Sequence, residues 1–221
     1  MHLHYTAVAS PNNWMSRAVS TGHWREWQRA AVPFLRGTRI LELAHGPGDL
    51  LLDLTWAGYS VIGLDESLAM GQLAHAKLIL RDPSSGAGLV RAQAQALPFV
   101  SGQFTSLVAT FPPSDHLLDA RTAPELYRVL DREGVFVCVL SVKITGQGGR
   151  DRLIGWLFDV TGQSVPVPAP IRHNLELAGF AVKMRQINLG HSHVAVVVAE
   201  KLASPTPTAI VAPPKTLQND L

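Results

Sequence analysis

The 221-residue sequence is poor in cysteine and in charge, and it has no long apolar run. Its single cysteine, Cys138, cannot form an internal disulfide, which fits a reducing cytoplasm, and the apolar residues around it predict a buried thiol. The formal net charge is +2 and no stripe of Lys and Arg is present, so we expect no nucleic-acid partner. No segment approaches the ~20 apolar residues of a membrane span, and residues 1–20 lack a signal-peptide pattern. We therefore expect a soluble, cytoplasmic protein without an integral membrane segment.

Apolar residues make up 47% of the chain, enough for one substantial α/β core. We expect that core in residues 37–202. Residues 1–36 are predicted to be a leader followed by a capping helix, and residues 203–221, which are rich in proline, a disordered tail.

Residues 39–53 are the most informative stretch. A short apolar run ends at two glycines that flank a proline, Gly46-Pro47-Gly48, and a leucine-rich series compatible with a helix follows. The pattern predicts a buried strand, a tight turn and a helix. Glycines let backbone approach a ligand, and the helix that follows offers free N–H groups, so the turn is typical of a nucleotide-binding loop.

Asp65 ends a second apolar strand, over residues 59–65. It lies about 20 residues beyond the glycines, where a carboxylate can accept hydrogen bonds from ribose hydroxyls. The alternative role of helix N-cap belongs to Ser67, which is better placed to begin a helix through about residue 80. We therefore predict that Asp65 binds a ribose.

A third strand is predicted to end near Gln93. Its side-chain amide and the Ala94 N–H would then be free to form hydrogen bonds with the edge of an adenine. The alternative is that Gln93 is a solvated loop residue. Thr122 and Glu125 form the pattern of a capping box, which predicts a helix to about residue 130. Further strands are predicted over residues 104–110, 134–141, 180–189 and 192–201, with a helix over residues 169–178.

This order of elements predicts an α/β fold. We expect a doubly wound, Rossmann-like, seven-stranded sheet that is mostly parallel and ends in a C-terminal antiparallel hairpin. The ligand should lie at the carboxyl ends of the parallel strands.

Residues 146–168 read as an insertion with an apolar helix at residues 150–161. Its apolar residues cover more than one side, so more than one side must be buried. Three roles stay open: a homodimer interface, a cover over an apolar substrate pocket, and contact with a membrane surface. The last is weakened because the basic flank is only Arg150 and Arg152.

The N-terminal helix, predicted from Thr21 to about Ala31, carries Trp24, Trp27 and Gln28 on one side. It is either an amphipathic helix at the edge of the sheet or, with the leader before it, the cover of a ligand pocket.

Residues 42–48, Glu-Leu-Ala-His-Gly-Pro-Gly, resemble the first motif of class I S-adenosylmethionine-dependent methyltransferases, in which glycines at alternate positions follow an acidic residue. Four further features agree in order. Residues 61–67 with Met70 resemble the family's ribose and adenine segment, and residues 92–99 resemble its "D-A-x-x-L-P-F" element. Residues 125–134 resemble its "E-x-x-R-V-L-x-P-G-G" signature, and the final hairpin resembles the antiparallel end of the family's sheet. The resemblance covers residues 37–201 and is closest to the small-molecule, methyltransferase type 11 branch that includes quinone-biosynthesis C-methyltransferases.

The sequence departs from the family pattern at several positions. Ala44 replaces the first glycine, a modest change if its φ is negative. Gln93 and Thr105 replace aspartates, and Asp131-Arg132-Glu133 stands where Pro-Gly-Gly begins. The nearest rival, a dinucleotide-binding loop, would need glycine at Leu51 for close helix packing.

The resemblance implies S-adenosyl-L-methionine as the cofactor. The loop from Ala44 to Gly48 should approach its methionine moiety, Asp65 its ribose, and Thr110 with Phe111 its sulfonium end. The predicted cofactor-binding set is Glu42, Ala44, His45, Gly46, Gly48, Asp65, Glu66, Met70, Gln93, Ala94, Thr110 and Phe111.

A general base is optional for methyl transfer, and the sequence offers weak candidates only, Asp115 and His116. We expect His45 to shape the loop rather than transfer protons. His191 and His193 share a strand face without a third ligand nearby, so no metal site is predicted.

The sequence thus predicts methyl transfer to a small, apolar or amphipathic metabolite. The alternative is a catalytically silent fold that binds the cofactor or a partner protein.

Overall fold

The structure is a computed structural model that describes residues 23–84, 86–112, 119–145, 169–190 and 192–202. Several predictions fall on residues outside these ranges: the leader, the inserted helix at residues 150–161, the candidate bases Asp115 and His116, His191, and the tail at residues 203–221.

Helices and strands alternate along most of the described chain. The helices are α1 (His23–Arg29), α2 (Asp49–Trp56), α3 (Leu68–Arg81), α4 (Thr122–Val129) and α5 (Ala169–Leu177), and a short 3-10 helix, Val32–Phe34, follows α1. The strands are β1 (Arg39–Leu43), β2 (Ser60–Asp65), β3 (Gly88–Arg91), β4 (Phe104–Thr110), β5 (Leu130–Ile144), β6 (Phe180–Asn188) and β7 (Ser192–Lys201).

The strands form one seven-stranded sheet in the order β3-β2-β1-β4-β5-β7-β6. Neighbours from β3 to β5 pair in parallel, whereas β7 runs antiparallel to both β5 and β6. The predicted fold class is therefore confirmed, including the antiparallel C-terminal hairpin.

Helices cover both faces of this sheet because the central strands are apolar on both sides. The side chains of α1, α2 and α3 pack on one face around Trp27, Leu50 and Val108, and those of α4 and α5 pack on the other around Leu126 and Phe136. Cys138 lies fully buried on the second face, as predicted. Among the residues that the structure describes, no helix is long and apolar enough to cross a membrane.

Polar contacts tie helix α1 to the rest of the fold. Asp53 of α2 accepts hydrogen bonds from Arg25 and Arg29, and the Trp27 indole N–H donates to Ser192 Oγ of β7 over 2.9 Å. The helix is shorter than predicted: it ends at Arg29, and a turn leads into the 3-10 helix that contains Pro33.

Ser67 caps α3 as predicted, since its Oγ accepts a hydrogen bond from the Met70 N–H at 3.4 Å. The predicted capping box of α4 is wrong. Arg121 occupies the N-cap position without a side-chain cap, and Thr122 is the first helical residue.

Glu125 is unavailable for capping because its carboxylate accepts hydrogen bonds from Arg128 at 2.7 Å and from the Leu97 N–H at 2.8 Å. Arg128 in turn donates to the carbonyls of Phe99 and Leu97. The two charged residues of the "E-x-x-R" signature therefore clamp the loop after β3 onto α4.

Two strand boundaries also differ from the prediction. β3 ends at Arg91, so Gln93 lies wholly in the loop. β5 begins at Leu130 rather than Gly134, because Leu130 pairs with Phe104 and a register shift between Phe104 and Ser106 takes up the residues in between.

Candidate cofactor-binding site

The candidate site lies where the strand order reverses. β1 and β4 are neighbours in the sheet although β2 and β3 separate them along the chain. In open α/β sheets, ligands bind at the carboxyl ends of the strands beside such a reversal. The loop from Ala44 to Gly48 follows β1 at this point, and Phe111 follows β4.

Asp65 holds the glycine loop in place. Its Oδ2 accepts a hydrogen bond from the Gly46 N–H and its Oδ1 one from the Ser67 N–H, each at 2.9 Å. A carboxylate has about four acceptor positions, so roughly two remain for a ligand. Asp65 therefore has a structural role in addition to the predicted contact with ribose hydroxyls.

Gly46 and Gly48 are both needed in the loop, for different reasons. Both have left-handed backbone, with φ of +54° and +74°. A Cβ at Gly46 would meet no atom within 4 Å, whereas one at Gly48 would lie 2.9 Å from the Ala74 Cβ of α3. Gly46 thus leaves open space beside the loop, and Gly48 allows α2 to begin close to α3.

Ala44 also has left-handed backbone, with φ of +51°. This corrects the expectation of a modest departure, which required a negative φ. The position keeps the conformation that suits glycine, at a cost of roughly 1–2 kcal/mol for an L-residue. Phe111, at the opposite side of the site, has the same φ of +51°.

His45 shapes the loop from inside. It is buried, and its Nδ1 lies 2.6 Å from the Gly46 carbonyl oxygen. Because a carbonyl only accepts, Nδ1 carries the proton and donates. Burial lowers the pKa of His45 and so favours the neutral ring, and the Asp65 carboxylate partly opposes this shift.

His45 and Leu51 share the space that Gly63 of β2 leaves. A Cβ on Gly63 would lie 2.9 Å from His45 Cδ2 and 3.1 Å from Leu51 Cδ1. Close packing of helix on strand, which a dinucleotide loop achieves with a helix glycine, is achieved here by a strand glycine. The bulk of the fully buried Leu51 is therefore compatible with this loop.

Glu42, on β1, is the most unusual group in the site. Its side chain is buried, and neither carboxyl oxygen has a hydrogen-bond partner. Burial raises the pKa of Glu42 well above its usual range; the carboxylates of Asp49, Asp65 and Asp53 raise it further, and Lys77 lowers it. Without a bound cation, the carboxyl group is therefore protonated over a wide pH range.

Gln28 and Thr110 lie on the same face of the sheet as Glu42. Glu42 pairs with Val108 of β4, and Thr110 follows two residues later, so the two polar side chains point to one side. The Gln28 Nε2 donates to Thr110 Oγ1 over 3.0 Å, and the buried Gln28 Oε1 has no partner. Each such orphaned acceptor costs about 1–3 kcal/mol.

Two aromatic rings close this side of the site. The rings of Trp24 and Phe111 are 4.7 Å apart at their centroids, and each side chain is only 8% exposed. Trp24 therefore contacts the end of β4 directly, which favours the interpretation of α1 as a cover. The leader, which was proposed as part of this cover, lies outside the described ranges.

The predicted adenine side is more open. Met70 lies in the first turn of α3, and the exposed Gln93 and half-buried Ala94 follow β3, where the Gln93 carbonyl accepts the Ala96 N–H at 3.1 Å. The Glu66 carbonyl accepts a hydrogen bond from Arg91 Nε at 2.9 Å.

The fold thus brings the predicted cofactor-binding residues to one edge of the sheet, after β1, β2, β3 and β4, while their roles in cofactor binding stay predictions.

Sequence reasoning missed Gln28 as a site residue. The available signal was a glutamine one turn after Trp24 on the apolar side of an amphipathic helix.

Within the described ranges no group of three His, Cys, Asp or Glu side chains could hold a metal ion, and His193 Nδ1 lies 2.7 Å from Gln186 Nε2.

Part of the chain matches a known protein family. Residues 40–134 match the family described as "Methyltransferase domain". The matched segment runs from β1 into β5, so it includes the glycine loop, Asp65 and the end of β4.

Two curated relatives each match more than half of the chain. A ubiquinone/menaquinone biosynthesis C-methyltransferase of Geotalea uraniireducens is 30% identical over 136 residues, which are 59% of this chain and 58% of that protein. A demethylmenaquinone methyltransferase of Symbiobacterium thermophilum is 30% identical over 145 residues, 63% of this chain and 58% of that protein. The chain thus matches less than two thirds of the length of these relatives.

Among solved structures, the geranyl diphosphate C-methyltransferase from Streptomyces coelicolor A3(2), crystallised with Mg²⁺, geranyl diphosphate and S-adenosyl-L-homocysteine, has the same fold. The TM-score is 0.64 at 10% identity, over 85% of this chain and 84% of that one.

Replacing Ala44 by glycine should stabilise the protein. The left-handed φ is unfavourable for alanine, and this gain outweighs the greater entropy of glycine in the unfolded chain, leaving about 0.5–1 kcal/mol. The control is Ala57→Gly at the exposed end of α2, where φ is −79° and glycine should lower stability instead. Urea unfolding of both variants measures the difference; equal losses would show that Ala44 is unstrained.

Glu42→Gln should change how stability depends on pH. The pKa of Glu42 is raised on folding, so the native state keeps a proton that the unfolded chain releases above about pH 4.5. The free energy of unfolding of the ligand-free protein should therefore fall as pH rises, by up to about 1.4 kcal/mol per pH unit for this one proton, until the raised pKa is passed. Glu42→Gln should remove that fall.

The control for this experiment is Glu125→Gln. Its hydrogen bonds with Arg128 lower the pKa of Glu125, so its contribution to stability is present above pH 4.5 and is lost as pH falls. The two variants should therefore differ from wild type with opposite slopes in urea unfolding at a series of pH values. Parallel curves for Glu42→Gln and wild type would mean that Glu42 is ionised in the native state.

Proposed function

Because residues 40–134 match a methyltransferase domain and carry the motifs that resemble class I S-adenosylmethionine-dependent methyltransferases, we propose that this chain transfers a methyl group from S-adenosyl-L-methionine to a small acceptor molecule. The observation that carries the proposal is the Gly46 N–H bond to Asp65. It joins the loop after β1 to the carboxylate after β2, the two groups that the resemblance assigns to the methionine moiety and the ribose.

The residues present fit this cofactor. The open space at Gly46 would admit a ligand against the backbone, and the unused acceptor positions of Asp65 would suit two ribose hydroxyls. The orphaned oxygens of Glu42 and Gln28 would accept N–H groups of an amino-acid moiety. An adenine would then lie toward Met70, Gln93 and Ala94.

When bound, S-adenosylmethionine supplies an electrophilic methyl group on a sulfonium sulfur. The chain's own contribution is to hold both reactants in line and to exclude water, and alignment alone contributes ~7 kcal/mol or more to such reactions. Thr110 and Phe111 would border the reacting centre, and the Trp24 and Phe111 rings would shield it from solvent. Asp115 and His116 stay the candidates for a base that removes a proton from the acceptor.

The acceptor is proposed to be a small apolar or amphipathic molecule that is methylated on carbon. Support comes from the aromatic wall that Trp24 and Phe111 form beside the end of β4. The names of two curated relatives point the same way: one is a ubiquinone/menaquinone biosynthesis C-methyltransferase and the other a demethylmenaquinone methyltransferase. The apolar helix predicted at residues 150–161 is proposed to cover this acceptor or to join two subunits.

Binding of S-adenosylhomocysteine tests the cofactor assignment. Wild type should bind it in calorimetry, and Asp65→Asn should bind about tenfold or more weakly, because one charged acceptor of ribose hydroxyls is lost. Asn is chosen because its Oδ1 can still accept one backbone N–H. The control Glu176→Gln removes an exposed carboxylate that pairs with Arg172 on α5 and should bind like wild type. No binding by wild type at millimolar ligand would refute the assignment.

Methyl transfer itself needs a second assay. The protein is incubated with cofactor labelled in its methyl group and, separately, with demethylmenaquinone, geranyl diphosphate and a metabolite extract. We expect label in an apolar or amphipathic product, strongly reduced for Asp65→Asn. Cofactor binding without any transferred label would favour the silent, ligand-binding alternative.

A further inference from the structure

Gln28 is the polar side chain of α1 that reaches the sheet. It is 5% exposed, and its Nε2 donates to Thr110 Oγ1, which fixes the amide against the end of β4. The other amide atom, Oε1, is buried and has no hydrogen-bond partner. A buried amide that is anchored at one atom and unpaired at the other is rare in proteins unless a ligand or water completes it.

The missing partner must be a hydrogen-bond donor. The orphaned atoms on this face of the sheet are Gln28 Oε1 and both carboxyl oxygens of Glu42, and all three are oxygens. The neighbouring strands place Glu42 and Thr110 on one face of the sheet, two register positions apart, and Gln28 bonds to Thr110 on that face. An ammonium group has three N–H donors and a positive charge, so it suits these three acceptor oxygens better than a hydroxyl group, which has one donor.

We propose that Gln28 binds the α-ammonium group of the cofactor's amino-acid moiety through its Oε1 atom. The inference rests on the proposed function, because it takes the ligand to be S-adenosylmethionine or its product. It adds a binding residue that lies before residues 40–134, outside the segment that matches the methyltransferase domain.

The assignment gives α1 a role in the site. Helix α1 packs on the sheet through Trp24 and Trp27 and is held by Asp53, so Gln28 is presented by a fixed element and not by a loose leader. A ligand that bonds to both Gln28 and Glu42 would join α1 to β1. Binding would then stabilise α1 only when the ligand carries the amino group.

The test combines a variant with a change in the ligand. Gln28→Met keeps the length and burial of the side chain and removes its oxygen. Calorimetry should show that Gln28→Met binds S-adenosylhomocysteine about tenfold or more weakly than wild type. For the analogue of S-adenosylhomocysteine that lacks the α-amino group, and for 5′-methylthioadenosine, the two proteins should bind equally. The control Gln186→Met, on β6, should match wild type with every ligand.

Equal loss of affinity for ligands with and without the amino group would overturn the inference, since Gln28 would then act only through packing. A second measurement serves if Gln28→Met fails to fold: in wild type, the side-chain amide resonance of Gln28 should shift with S-adenosylhomocysteine and stay unchanged with the analogue that lacks the amino group. A shift of equal size with both ligands would again refute the contact. If wild type binds none of these ligands, the proposed function fails first.

Discussion

One hydrogen bond, from the Gly46 N–H to the Asp65 carboxylate, organises the site. It joins the ends of two neighbouring strands, and the second oxygen of the same carboxylate receives the Ser67 N–H at the start of α3. The loop is thereby fixed before any ligand arrives, so little conformational entropy has to be lost on binding. The rest of the site depends on this geometry: Gly48 can begin α2, and His45 can turn inward to its neighbour's carbonyl.

Several groups in the site cost the fold free energy. Ala44 and Phe111 have left-handed backbone, and the buried oxygens of Glu42 and Gln28 lack partners. Each feature costs free energy in the absence of a ligand, and all of them lie at the carboxyl ends of β1 and β4 or beneath α1. Such costs are tolerated where surrounding packing enforces them. Here that packing comes from two apolar helical layers on a sheet that is buried on both faces.

The fold was predictable because its signals are local and agree with each other. Apolar runs predicted the strands, Ser67 predicted the start of α3, and the order of elements left few topologies. Contacts between distant residues were not predictable. Nothing local says that Glu125 bonds to Leu97 instead of capping its own helix, or that Gln28 meets Thr110 across 82 positions. The φ of Ala44 was equally hidden, since alanine in a loop gives no sign of left-handed backbone.

The glycine of β2 has a consequence for evolution. Gly63 leaves room that His45 and Leu51 fill from two other elements, with contacts as close as 2.9 Å to a Cβ at this position. The three positions therefore cannot vary independently. In an alignment of homologues they should covary: lineages with a side chain at the strand position should carry a smaller residue at one of the other two, and lineages with glycine in the helix should be free to place a β-branched residue in the strand.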